Sequence, residues 1–191
     1  MSNAAARTSK TSLWLIIALA TAPVAASYVF YYFWYPESTT NYGELLAPLR
    51  LPDDRLWLTD GTPFRFSQLT GKWALVTVDS GRCNDYCERK LLYMRQLRLT
   101  QGKDRERVER AWLLADEIAP RPEAIAPYDG TWVVRGAGTD LLNAFPARVD
   151  VADHIYIVDP LGNVMMRFPR DPDPGRMVKD LSRLLKLSRI G

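Results

Sequence analysis

From Leu13 to Tyr35 the chain reads LWLIIALATAPVAASYVFYYFWY, with no charged side chain. A segment of this kind in a bilayer must satisfy its backbone polar groups internally, so it can only be a helix. At ~1.5 Å per residue it spans about 35 Å, enough for a hydrocarbon core of roughly 30 Å. Tyr28 and the run Phe30 to Tyr35 place an aromatic belt at one interface, and Pro23 is a site for a kink. The Ala-rich stretch also resembles the cleavage region of a signal sequence. The apolar run continues past Ala25-Ala26 into its aromatic end, which favours an uncleaved anchor. Arg7 and Lys10 precede the run and Glu37 follows it. The positive-inside rule then leaves the N-terminal tail in the cytoplasm and sends the rest of the chain outside. In a bacterium this is a single-pass inner-membrane protein with its C-terminal domain in the periplasm. The expected division is a cytoplasmic tail at 1–12, an anchor at 13–35, a Pro/Ser/Thr-rich linker at 36–52 and an exported domain at 53–191.

Disulfides persist in that compartment, yet the whole chain of 191 residues has two cysteines, Cys83 and Cys87. One pair cannot staple a domain of this size, so the pair makes one local bridge or does chemistry. Apolar residues are 47% of the chain, enough for a core without further staples. The net charge of +3 comes from scattered cations, which argues against nucleic acid as a partner.

The patterning after the linker predicts an α/β domain. Arg55 to Leu58 and Phe64 to Phe66 alternate like strands around the turn Thr59-Asp60-Gly61-Thr62-Pro63, giving a hairpin. Ser67 is placed to cap a short helical turn ending at Gly71. Ala74 to Val78 is apolar, β-branched and short, as a central buried strand should be. A helix follows from Cys83, with apolar positions at Tyr86, Leu91, Met94, Leu97 and Leu99 and a stop at Gly102. Val108 to Ala115 reads as a second central strand. Prolines 120, 122 and 127 leave room only for a short helix, and Trp132 to Val134 for a small strand or loop. A short helix at Thr139 to Phe145 precedes His154 to Val158 and Val164 to Phe168, two strands joined by an Asp159-Pro160-Leu161-Gly162-Asn163 turn. A last helix starts at Asp173-Pro174, an N-cap followed by proline at the first helical position. It buries Val178, Leu181, Leu185 and Leu184. Strand, helix, strand, then hairpin and helix make a thioredoxin-like sandwich with an added N-terminal β-hairpin.

A buried strand that delivers cysteines to a helix N-terminus favours thiolates, because the helix dipole stabilises negative charge there. Residues i and i+4 of a helix have Cβ atoms about 5–6 Å apart, whereas a disulfide needs roughly 3.5–4.5 Å. A Cys83–Cys87 bridge therefore requires a deformed first turn, or Cys83 at or before the cap, and would be easily reduced. One metal ion bridges two sulfurs up to ~4.6 Å apart, and thiolates select Cu(I) or Zn. His154, the single histidine, opens its strand and is either a hydrogen-bonded strand-edge residue or a third ligand. Asp79, Asp85, Asp150 and Asp153 read as exposed turn carboxylates, with proton relays and hard ligands as the alternative. Met94 reads as core, as does one of Met165 and Met166. The chain has no phosphate-binding Gly-rich loop, HExxH, CxxC or nucleophile elbow.

The anchor, the hairpin before Gly71-Lys72-Trp73, the strand ending just before CxxxC, and a histidine ahead of Tyr-Ile-Val-Asp-Pro-Leu-Gly together resemble the Sco/SenC proteins over residues 45–190. The family pattern places prolines beside its cysteines, where this chain has Arg82, Asn84 and Glu88. Its histidine stands further ahead of the Asp-Pro turn. The resemblance implies a membrane-anchored assembly factor of cytochrome c oxidase with a membrane-embedded oxidase subunit as client. By the same implication Cys83, Cys87 and His154 bind copper as Cu(I), or Cys83 and Cys87 exchange electrons with client thiols. The alternatives are a metal-free thiol–disulfide oxidoreductase and a non-catalytic interaction module with a structural bridge.

Overall fold

A computed structural model describes residues 10–33 and 41–188, which split at residue 40 into two compact units. Arg7, Trp34, Tyr35 and Glu37, which carry the orientation and the end of the expected anchor, lie outside the described residues.

The first unit is helix α1, Lys10–Phe33, with Pro23 inside it. The stretch Ser12–Tyr32 is long and apolar enough to cross a membrane, and its large apolar side chains are exposed.

The second unit is built on one mixed sheet of eight strands among the described residues. In chain order they are β1 Glu44–Arg50, β2 Leu56–Leu58, β3 Pro63–Phe64, β4 Trp73–Asp79, β5 Val108–Leu114, β6 Thr131–Arg135, β7 Ile155–Val158 and β8 Asn163–Arg167. Their spatial order is β1-β8-β7-β4-β5-β6-β2-β3. The strands β4, β5 and β6 are parallel and every other pairing is antiparallel. The helices are α2 Asp85–Thr100, α3 Pro122–Ile125 and α4 Pro174–Leu187.

All seven residues of β4 are buried, as the apolar run requires of a central strand with both faces covered. Successive side chains point to opposite faces. Thus Ala74, Val76 and Val78 pack with Phe64, Leu113, Phe145 and Tyr156, while Leu75 packs with Met94 and Leu97 of α2 and Leu181 and Leu185 of α4. Asp173 caps α4 by accepting from the Gly175 and Arg176 N–H groups. Within α4, Met177 is the fully buried residue near its start, and Val178 and Leu184 are only partly buried.

Two expectations are corrected. Residues 44–50, read as linker, form β1, an edge strand paired with β8. It is anchored by the buried carboxylate of Asp180, which accepts from Tyr42 and Gly43 N–H at 2.8 Å each. A linker composition does not reveal a partner strand more than a hundred residues away. Ser67 lies inside its 3-10 turn and is not the cap. Of the two readings of the Trp132 region, small strand or loop, the structure shows the strand, β6, which bridges β5 to the hairpin. The short helix expected at Thr139 to Phe145 is a 3-10 helix, Asp140–Ala144.

Candidate redox site at the start of helix α2

The site begins where β4 ends. The Cys83 N–H bonds back to Ser80 O at 3.1 Å, and Asp116 Oδ1 accepts from the Gly81 N–H at 3.0 Å. The Ser80 hydroxyl and Gly81 amide hold the Asp116 carboxyl below its ordinary value of 3.8. The loop passes so close to the strand-end segment after β5 that a Cβ on Gly81 would lie 1.7 Å from Ile118 O. Asn84 is the N-cap, its Oδ1 accepting from the Tyr86 and Cys87 N–H groups at 3.0 and 2.9 Å. Cys83 therefore sits one residue ahead of the cap, with φ at +41°.

That placement resolves the spacing problem. Cys83 turns into the left-handed region, and its Cα stands 5.1 Å from that of Cys87, within bridging range. The two form a disulfide. Cys83 is 5% exposed and Cys87 0%, in a cluster with Leu91, Trp112, Leu114 and Val133. Ile125 and Tyr128 pack against this cluster from outside.

Two partners of the site were not foreseen. Lys90 lies on the buried stripe of α2 with Cys87, Leu91, Met94 and Leu97. Its ammonium stands 2.7 Å from Asp79 Oδ2 with side-chain exposures of 1% and 8%, and it donates to Ala152 O. Burial pulls the Lys90 ammonium below its usual range, and Asp79 opposes that pull. Asp79, expected as an exposed turn carboxylate, is thus a buried counter-ion. The only sequence signal was a lysine on an otherwise apolar helical stripe. Tyr86, between the cysteines, donates its hydroxyl to Asp153 O at 2.8 Å and accepts from the Asp171 N–H at 3.2 Å. Its ring lies within 5.3 to 5.5 Å of the Arg89, Lys90 and Arg170 cations. Of the other carboxylates, Asp85 and Asp150 are exposed as expected, whereas Asp153 is partly buried and pairs with Arg170 at 3.5 Å. Met94 and Met166 are core.

His154 stands immediately ahead of β7, half-buried, with Nδ1 2.7 Å from Phe168 O. A carbonyl only accepts, so Nδ1 carries the proton.

Residues 73–188, more than half of the chain, match the family described as transmembrane-like, thioredoxin-like, C-terminal domain. The chain belongs to that family. Its fold is also that of the Sco structures. Yeast Sco1 with copper bound is 18% identical over 75% of this chain and 96% of its own, with a TM-score of 0.60. BsSco, a member of the Sco family of cytochrome c oxidase assembly proteins with a disulfide switch, is 16% identical over 76% and 98%, at 0.57. A SCO1/SenC family lipoprotein from Bacillus anthracis is 17% identical over 74% and 99%, at 0.53. At such identities the likeness is one of fold. No curated protein matches the chain in sequence.

Against this thioredoxin-like frame the copper site can be tested. Among the described residues, with the bridge closed, no three His, Cys, Asp or Glu side chains form a group able to hold a metal. The cysteines are bonded to one another, and His154 donates through Nδ1 to Phe168 O, which leaves Nε2 with its lone pair. In a Cu(I) competition with a chromogenic chelator, the reduced full-length chain is expected to lose tight binding on Cys83→Ser. His154→Ala should weaken binding less, by about the 10–100-fold of losing a supporting group. An unchanged affinity would leave His154 a strand-edge residue only.

Proposed function

We propose that the chain is a membrane-anchored thiol–disulfide exchange protein whose Cys83–Cys87 pair serves a cysteine-bearing client at the same membrane. The supporting observation is the backbone of Cys83. A non-glycine residue in the left-handed region costs of order 1–3 kcal/mol. Closing so short a loop, with a sequence separation of 4, stabilises by only about 2 kcal/mol on the chain-entropy estimate. The two effects offset each other, so the bridge contributes little as a staple and is easy to open.

The chemistry follows from the two positions. In the reduced protein the Cys83 thiolate, the more exposed of the two, attacks one sulfur of a client disulfide and releases the first client thiolate. The Cys87 thiolate, in the first turn of α2, then attacks the Cys83 sulfur and releases the second. Two electrons pass to the client, and the protein regains its bridge. On the pattern of the Sco proteins, the client is a membrane-embedded cytochrome c oxidase subunit whose copper-ligand cysteines must be reduced before they take metal. The anchor raises the local concentration of the domain at such a client. Arg7 and Lys10 against Glu37 support a cytoplasmic N-terminus and a periplasmic domain. A periplasm-only reporter fused after Gly191 is then expected to be active, and activity of a cytoplasm-only reporter would reverse the orientation.

Titrating the full chain with glutathione in an uncharged detergent should give a reduction potential well above about −300 mV, the region of structural bridges. A bridge that stays closed in the folded protein under excess reduced glutathione would overturn the exchange reading in favour of a structural one.

A further inference from the structure

Alternate residues of a strand share a face, so Arg110 lies on the same face of β5 as Trp112 and Leu114. Trp112 and Leu114 pack in the cluster that holds the disulfide. Arg110 is 4% exposed and Trp112 1%. Among the described residues, the Trp112 Nε1 and the Arg110 Nε and Nη1 are buried donors without a hydrogen-bond partner, and Arg110 donates through Nη2 to Asp129 O. Buried donors are nearly always satisfied, and a guanidinium with two unused nitrogens burdens a fold. Nothing in the core requires an arginine at this place. Sites that violate the packing rules in this way are characteristically functional.

These donors lie beneath the segment that joins β5 to β6. That segment contributes Ile125 and Tyr128 to the cluster, while most of its other residues are exposed. Its side-chain tie to α2 is the exposed bond from the Tyr128 hydroxyl to Glu88 O at 3.2 Å. Arg95 and Arg98 act on Arg110 as like charges, with Glu109 and Asp129 opposing them.

We infer that the strip of β5 from Leu114 through Trp112 to Arg110 is the client groove of the disulfide, covered at rest by the segment carrying Ile125 and Tyr128. It takes an apolar, cysteine-bearing stretch with a carboxylate placed for Arg110 and a carbonyl for Trp112 Nε1. This inference rests on the thiol-exchange reading. When the cover lifts, Ile125 and Tyr128 are replaced by apolar client side chains, Cys83 becomes accessible, and the unused donors find acceptors. Charge complementarity selects an acidic client over a basic one.

The test uses the reduced full-length chain in an uncharged detergent, with two small disulfides of similar size as probes. One is anionic (dithiodiglycolate) and one neutral (hydroxyethyl disulfide). Both react by the two displacements above. Each rate is divided by the rate of a free small thiol with the same probe. The wild type should prefer the anionic probe by about 10-fold or more, the discrimination of roughly one ion pair. That preference should collapse between about 0.05 and 0.5 M salt. In Arg110→Met the anionic-to-neutral ratio should fall close to unity, and the melting temperature should not drop. Tyr128→Phe, which unties the cover, should speed both probes several-fold. An unchanged ratio in Arg110→Met overturns the groove. If that variant does not fold, a wild-type preference that is absent or insensitive to salt overturns it equally. Failure of the wild type to react with either probe overturns the exchange reading itself, and the groove with it.

Discussion

Asp79→Ala is expected to cost about 3–5 kcal/mol, because it leaves the Lys90 ammonium buried without its counter-charge. Lys90 and Asp79 are almost wholly enclosed at 2.7 Å, and the carboxylate also accepts from the Ser80 N–H at 2.9 Å. For a domain of this size the melting temperature should fall on the order of 10 °C or more. The pair itself need not be strongly stabilising, since two charges taken out of water lose hydration that their attraction only partly returns. The double variant Asp79→Leu with Lys90→Met should therefore recover most of the loss. Thermal unfolding of the full chain, followed by tryptophan fluorescence, checks both. A single variant melting within about 2 °C of wild type would show that Lys90 loses its proton, or finds another partner, at little cost.

Gly81→Ala should be comparably damaging, by a different route. Its added Cβ would meet the Ile118 carbonyl at 1.7 Å for the oxygen and 2.7 Å for the carbon, both backbone atoms that no rotamer change can move aside. The two loops must part. Parting them breaks the bond from Gly81 N–H to Asp116 and displaces the turn that sets Cys83 ahead of its cap. Overpacking of this kind typically costs 1–3 kcal/mol and more where backbone must shift, so a loss of about 3 kcal/mol is expected. Because Cys83 moves with the loop, the fraction of bridged protein, read by alkylation mass shift, should fall as well. A Gly81→Ala chain with wild-type melting and a fully formed bridge would show that the loops can separate freely.

The chain order of these elements was largely legible in the sequence, because periodicity and turn chemistry are local. The β4 strand announced itself by a short, mostly apolar run ending in β-branched residues, α4 by Asp173-Pro174, and the β7–β8 turn by Asp-Pro-Leu-Gly-Asn. The cysteine pair at a helix start was legible too, as was the geometric condition for its bridge, that Cys83 lie at or before the cap. The sequence did not show that Asn84 takes the cap and leaves Cys83 in the left-handed region. Cysteine carries no mark for that conformation, and the competing reading began the helix at Cys83.

Everything that depends on residues far apart in the chain was decided by the tertiary structure. The strand β1 looked like linker because its ladder comes from β8, and Asp180 gave no hint that it would hold Tyr42 and Gly43. Asp79 looked like a turn carboxylate until the sheet and α2 enclosed it with Lys90. His154 was a candidate ligand by its place ahead of a strand, and the fold gave its Nδ1–H to Phe168 O, which fixes the tautomer that leaves Nε2 as the acceptor. By itself the sequence determined the periods, the turns, the apolar first helix and one cysteine pair, since these follow from neighbours in the chain. Only the packing of β4, β5 and α2 against one another determined which charges are buried, which donors go unused and what covers the disulfide. Burial and charge pairing depend on which distant surfaces meet, and local pattern does not encode that.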